Sequence, residues 1–189
     1  MTPRQRRRAI VALLAMVALG AALGALWAFT TPTAQITITA DGDVLASPAE
    51  MAHLFSGAAY FALLGFALGI GCAVVVWFAA AQLRNWAGLV VAVGTALVSG
   101  LIGMQVAMAI ASSRYPELDV TVAGGQRLVQ NLWFEHATLG GVTAPWLLLI
   151  CAPGLAALTY LICAIVGGDE AFVTDDDRSA AVVTVAAGA

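Results

Sequence analysis

Four runs of this chain carry no charged residue: positions 9–40, 54–83, 85–113 and 137–168. Nearly all the charge lies between or outside them. A transmembrane helix needs about 20 apolar residues to cross a hydrocarbon core roughly 30 Å thick. Each run is long enough for one crossing and too short for two. The expected fold is therefore an all-α membrane protein, a bundle of four transmembrane helices. Composition supports this. Of 189 residues, 61% are hydrophobic and 10% charged, and the mean hydropathy is +0.93. A soluble domain of this size could not hide so much apolar surface.

The spacing predicts spans over 9–29, 52–83, 86–111 and 140–166. Connections at 30–51 and 112–139 join the first two and the last two. A basic tail (1–8) precedes the first span, and an acidic tail (167–189) that reads as disordered follows the last. The first apolar run is about twice the length of a signal-peptide core, and no small-x-small cleavage site follows it. It reads as a retained helix.

Arginine sets the expected orientation. Arg4, Arg6, Arg7 and Arg8 precede the first span, Arg84 lies between the second and third, and Arg178 is in the tail. The other two connections hold only Arg114 and Arg127. Positive-inside logic then puts both termini in the cytoplasm of a bacterial plasma membrane, with 30–51 and 112–139 outside. Trp27 and Trp133 fall near the outer interface, where amphipathic rings prefer to sit. A net charge of −3 gives no basic face for nucleic acid. The expected surroundings are lipid and other integral membrane proteins.

The outer connections carry local patterns. Ile36-Thr37-Ile38-Thr39 alternates with period two, and Asp41-Gly42 is a tight-turn signal. Together they predict a short extracytoplasmic hairpin. Asp119-Val120-Thr121-Val122 alternates too and offers a third strand. Between 126 and 135, Leu128, Val129, Leu132 and Trp133 form one apolar stripe, which predicts a short interfacial helix. The cap is expected to combine hairpin and short helix.

Small residues recur four apart: Gly20 and Gly24, Gly65 and Gly69, then Thr95, Ser99 and Gly103. Lipid supplies no hydrophobic drive between helices, so close backbone approach must hold them together. The same grooves suit packing within the chain or against another membrane protein. Pro153 falls mid-span in the expected fourth helix, where it would remove a backbone hydrogen bond and kink the helix.

Chemistry is sparse. Cys72, Cys151 and Cys163 all lie in spans, without a CxxC pair. No acid or base lies mid-span; Gln105 is the most polar side chain deep in helix 3. Proton-coupled transport usually needs such groups. The two histidines follow or adjoin carboxylates, as Glu50 with His53 and Glu135 with His136. Both pairs fall at the outer interface and offer imidazole and carboxylate ligands to a zinc-like metal ion. The adjacent Glu135 and His136 point in different directions, and ordinary interfacial polarity with helix-dipole stabilisation is the favoured reading of all four residues. Axial haem ligation would require His53 and His136 to converge inside the bundle. The expected cofactor is none. A faint echo links the two histidine segments and suggests a parallel internal repeat about an axis along the membrane normal.

Four segments resemble an uncharacterised four-pass inner-membrane family of actinobacteria, a domain-of-unknown-function family. They are Gly24-Ala25-Leu26-Trp27-Ala28, Glu50-Met51-Ala52-His53-Leu54-Phe55, Val74-Val75-Val76-Trp77-Phe78 and Phe134-Glu135-His136-Ala137. The resemblance covers roughly residues 10–168 and implies fold and bacterial group, not a reaction. Abundant packing surface with little chemistry points to a non-catalytic accessory or scaffold subunit of a larger complex, respiratory or cell-envelope. The alternatives are an envelope metal or redox protein using the His/Glu cluster, and a lipid-binding or sensor protein with a cavity beside Pro153.

Overall fold

The computed structural model describes residues 3–39, 41, 43–79, 84–115, 124–133, 138–139, 142–143 and 146–167. Its elements are α1 (Pro3–Thr30), β1 (Ala34–Ile38), β2 (Val44–Leu45), α2 (Pro48–Ala79), α3 (Trp86–Arg114), β3 (Gly124–Leu128), β4 (Thr138–Leu139), β5 (Val142–Thr143), a 3-10 helix (Leu147–Ile150) and α4 (Cys151–Val166). Four helical segments are long and apolar enough to cross a membrane: Arg6–Thr30, Pro48–Ala79, Trp86–Arg114 and Leu147–Val166. The protein is a four-helix bundle of membrane type with a small β cap. At 32 residues, α2 is about 48 Å long, well beyond a hydrocarbon core.

Close backbone contacts define the bundle. A Cβ built on Gly20 or Gly24 would run into the main chain of Ser99 or Gly103 respectively, and one on Gly103 would lie 2.6 Å from the Gly20 carbonyl oxygen. Helices α1 and α3 are therefore parallel and nearly touch. On the other side, Gly69 abuts the Ala152 main chain, and Gly65 faces Cys151 and Ala152. Helices α2 and α4 are parallel too. α2 also lies against α3, whereas α1 and α4 share no comparable contact among the described residues. A two-fold axis would exchange those two pairs. The halves share the order helix, strand, helix, but they do not pack about the two-fold axis that the faint sequence echo suggests.

The core has two parts. At the end of the bundle where α1 and α3 finish, Trp27, Ala28, Phe61, Met104, Ala107, Ala111 and Leu132 are buried together. Toward the other end, Leu68, Cys72, Val76, Trp77, Ala92, Ala96, Ala156 and Tyr160 form the second part. Alanine is frequent there because small side chains let helices approach.

Strand order in the cap is β2-β1-β3, all antiparallel. The alternation at 34–38 is real strand alternation: Ala34, Ile36 and Ile38 are buried and the residues between them exposed. The third strand departs from expectation. The predicted helix over 126–135 is replaced at its start by β3, with Ile36 opposite Gln126 and Ala34 opposite Leu128. Gly124 has φ of +139°, a conformation that glycine tolerates. The free edge of β1 offers backbone partners that a short polar helix could not match, so tertiary pairing overrides the 3.6-residue pattern. Of the apolar stripe, Leu132 is fully buried in a bend that follows β3, Leu128 and Val129 are partly buried, and Trp133 is exposed. The alternating segment at 119–122 lies outside the described residues.

Helix 4 is shorter than the expected 140–166. Leu139 pairs with Val142 and Thr138 with Thr143. The sequence between them is Gly140-Gly141, a pair that disfavours helix and suits a two-residue hairpin. The helix proper starts at Cys151 after a 3-10 turn. Pro153 is therefore not mid-helix. It occupies the first turn of α4, where proline is tolerated because the N–H groups of that turn lack α-helical partners. The expected mid-span kink is replaced by a change from 3-10 to α geometry. The other helices extend or shift slightly: α1 continues back through the basic residues to Pro3, and α2 starts four residues early. Residues 80–83 and the acidic tail lie outside the described residues.

Candidate functional site

Glu50 and His53 stand on the first turns of α2. Ser47-Pro48-Ala49-Glu50 is a helix-start signature that sequence reasoning missed: an N-cap serine, proline at the first helical position, and glutamate three after the cap. The Ser47 hydroxyl oxygen accepts from the Glu50 N–H at 3.2 Å. The Glu50 carboxylate does not return to Ser47. Its Oε2 accepts from the Gln35 N–H at 2.7 Å.

This bond has a clear origin. The Thr39 N–H donates to the Asp43 carbonyl oxygen at 3.0 Å, so that edge of β1 faces the β2 side. N–H groups two apart share an edge, and Gln35 lies on the same one. β2 covers only Thr37 and Ile38. The Glu50 carboxylate takes up the donor that the short strand leaves open, and so ties β1 to α2.

His53 is exposed. Glu135 and His136 lie outside the described residues. Among those described, no three or more His, Cys, Asp or Glu side chains come together as a metal site would require. One carboxylate oxygen of the proposed ligand set is already engaged by a backbone donor.

Trp27 does not anchor at the lipid interface. It is fully buried, its ring edge-on to Phe61 with centroids 5.9 Å apart. Its Nε1–H donates to the Gly57 carbonyl oxygen at 2.8 Å. A buried indole needs such a partner. The Thr31 hydroxyl beside Gly57 is buried without a hydrogen bond. Arg114 stacks over Phe29, 4.7 Å from the ring centroid.

A second polar cluster closes the opposite end. Asn85 caps α3, its Oδ1 accepting from the N–H groups of Ala87 and Gly88 at 3.0 and 3.4 Å. The Tyr160 hydroxyl donates to the Asn85 carbonyl oxygen at 3.2 Å. The Tyr160 ring meets Trp77 edge-on, centroids 5.3 Å apart. Arg84 lies 5.0 Å from the Trp77 ring centroid, and its Nε–H donates to the Trp77 carbonyl oxygen at 3.4 Å. Cation–π contact and hydrogen bond together hold a cation where the helices end.

Of the small residues, Thr95, Ser99 and Gly103 all face inward. The Ser99 hydroxyl is buried without a hydrogen bond. It borders a central void of about 20 Å³, walled by Leu23, Leu64, Leu68, Leu148 and Leu149. That is room for about one water molecule, and far too little for a lipid chain. Cys72 is buried, Cys151 and Cys163 are half-buried, and all three are free thiols.

This geometry can brace and seal a bundle. Glu50, Trp27, Asn85, Tyr160 and Arg84 bond to backbone or to aromatic faces, the Thr31 and Ser99 hydroxyls have no hydrogen bond, and no nucleophile–base pair is assembled among these groups. Neither the curated proteins nor the solved structures give a match to this chain. The family described as "Protein of unknown function (DUF2567)" matches residues 16–172, most of the chain, and the protein belongs to that family.

Proposed function

We propose that the protein is a non-catalytic accessory or scaffold subunit of a larger membrane complex. In this reading it sits in a bacterial plasma membrane with both termini cytoplasmic and the β cap outside. Respiratory cytochrome assemblies and cell-envelope machinery of an actinobacterium are candidate hosts. The observation that carries the reading is the destination of the polar side chains. Glu50, Trp27, Asn85 and Tyr160 each bond to main chain, which is the work of fixing a shape. The small-residue faces of α1 and α3 are filled by each other, so a partner would dock on the outward faces instead.

The test is affinity purification of the tagged full chain in mild detergent, followed by mass spectrometry. Stoichiometric recovery with a membrane complex is expected. Recovery alone, under conditions that keep established complexes intact, would refute the reading.

A further inference from the structure

The outward face of α3 carries an anomaly. Gln105 is exposed on the bundle surface and makes no hydrogen bond among the described residues. It stands nine residues before Arg114, about 13 Å along the helix axis. From Trp86 it is about 28 Å away. From Trp86 to Arg114 the helix runs about 42 Å against a hydrocarbon core of about 30 Å, so with the overhang shared between the two ends Gln105 lies several ångströms inside the hydrocarbon. Its amide would face lipid tails with donors and acceptor unmet, which hydrocarbon penalises strongly.

Gly94 lies on the same face. Eleven residues at 100° each return to within about 20° of the starting direction. A Cβ built on Gly94 meets nothing within 4 Å, unlike Gly20, Gly24 and Gly69, which press on neighbouring backbone. It is an open notch. Gly94, Val98, Leu101, Gln105, Met108 and Ser112 follow at intervals of four, three, four, three and four. That is the spacing of a left-handed helix–helix seam. Val98 and Leu101 are 48% and 40% exposed, and Gly94, Gln105 and Ser112 are exposed with them, while Met108 is partly buried against the core.

We infer that this seam binds a second copy of the chain, with α3 packed against α3 and Gln105 against Gln105. Two arguments select this occupant. Copies inserted in one orientation pair about an axis along the membrane normal, so each residue meets its counterpart at equal depth. A carboxamide is both donor and acceptor, so two of them satisfy each other. Interhelical amide bonds of this kind stabilise helix pairs in lipid. The inference does not rest on the accessory-subunit reading, since a dimer needs no further partner.

The test uses the full chain, singly labelled, in phosphatidylcholine–phosphatidylglycerol vesicles over a range of protein-to-lipid ratios. Single-molecule photobleaching counts copies. Wild type should become dimeric as the ratio rises. Gln105→Leu should need a roughly ten-fold higher ratio, whereas Gln105→Asn, which keeps the amide, should stay within about three-fold of wild type. Gly94→Leu, which fills the notch, should weaken the dimer independently and leave thermal stability unchanged. In native membranes, a photocrosslinker at Leu101 should capture this chain, and one at Leu158 on the exposed face of α4 should not. A wild type that stays monomeric at every ratio overturns the inference. So does a Gln105→Leu variant that dimerises like wild type, or a Leu101 crosslink to a different protein alone.

Discussion

The indole Nε1–H of Trp27 reaches across thirty residues of sequence to the carbonyl oxygen of Gly57, 2.8 Å away in the buried interior. It links α1 to α2 just beneath the β cap. Gly57 lies inside α2, so its carbonyl can keep its intrahelical bond and accept the indole with its second lone pair. Trp27→Phe removes the donor and part of the ring while stranding no acceptor. The expected loss is about 1–3 kcal/mol, from one hydrogen bond plus a small void. Trp27→Ala should cost more, about 3–5 kcal/mol. Thermal unfolding in detergent, followed by loss of monodispersity, measures both. Equal Tm for wild type and Trp27→Phe would remove the bond from the account.

Glycines in this bundle divide by what stands opposite them. At Gly24 a methyl group would strike the Gly103 main chain, and at Gly69 that of Ala152. Backbone cannot rotate aside, so the helices must separate. Gly24→Ala and Gly69→Ala should each cost at least about 2 kcal/mol. At Gly154 the nearest atom is the Ile150 Cγ2 at 3.9 Å, an ordinary contact. Gly154→Ala should stay within about 0.5 kcal/mol of wild type. A uniform response across the three variants would contradict the packing described.

Much of this architecture can be read from the residues, and the failures have physical causes. Lipid tolerates no exposed charge, so charge-free runs locate the spans directly. They do not locate helix ends, because a 3-10 turn and a hairpin can be as uncharged as a helix. That is why Pro153 was expected mid-helix and is found in the first turn. β1 was legible because Ile36 and Ile38 alternate with threonines. β3 was not, since Gly124-Gly125-Gln126-Arg127-Leu128 has no alternation of its own and depends on the free edge of β1. Trp27 looked like an interfacial anchor from position alone; only its contact with Gly57 and Phe61 places it inside. Glu50 was legible as a polar residue near a helix start. Its Ser47 cap was in plain view, but its bond to Gln35 depends on a strand edge that sequence does not display.

That bond makes Glu50 a tie between sheet and helix. Glu50→Ala leaves the Gln35 N–H on an uncovered edge, whereas Glu50→Gln keeps an oxygen that can accept it. Hydrogen exchange at the Gln35 amide separates the two. Alanine should speed exchange about ten-fold or more, and glutamine by less, since a charged acceptor makes the stronger bond. If alanine leaves the rate unchanged, the tie is not formed in solution.

Tyr160 joins an aromatic contact and a hydrogen bond in one side chain, and the two can be separated. Tyr160→Phe keeps the edge-on ring against Trp77 and loses only the 3.2 Å bond to the Asn85 carbonyl oxygen. That carbonyl also accepts from the N–H groups of Gly88 and Leu89, so no acceptor is orphaned. The cost should be at most about 1 kcal/mol. Tyr160→Ala removes the ring and opens the core beside Cys72 and Ala156, for about 3–5 kcal/mol. It should also free Arg84, whose stacking surface on Trp77 loses its neighbour. Trp77 fluorescence should then become more accessible to iodide in the alanine variant than in the phenylalanine variant. Equal quenching in both would mean that the ring of Tyr160 does not seal this end of the bundle.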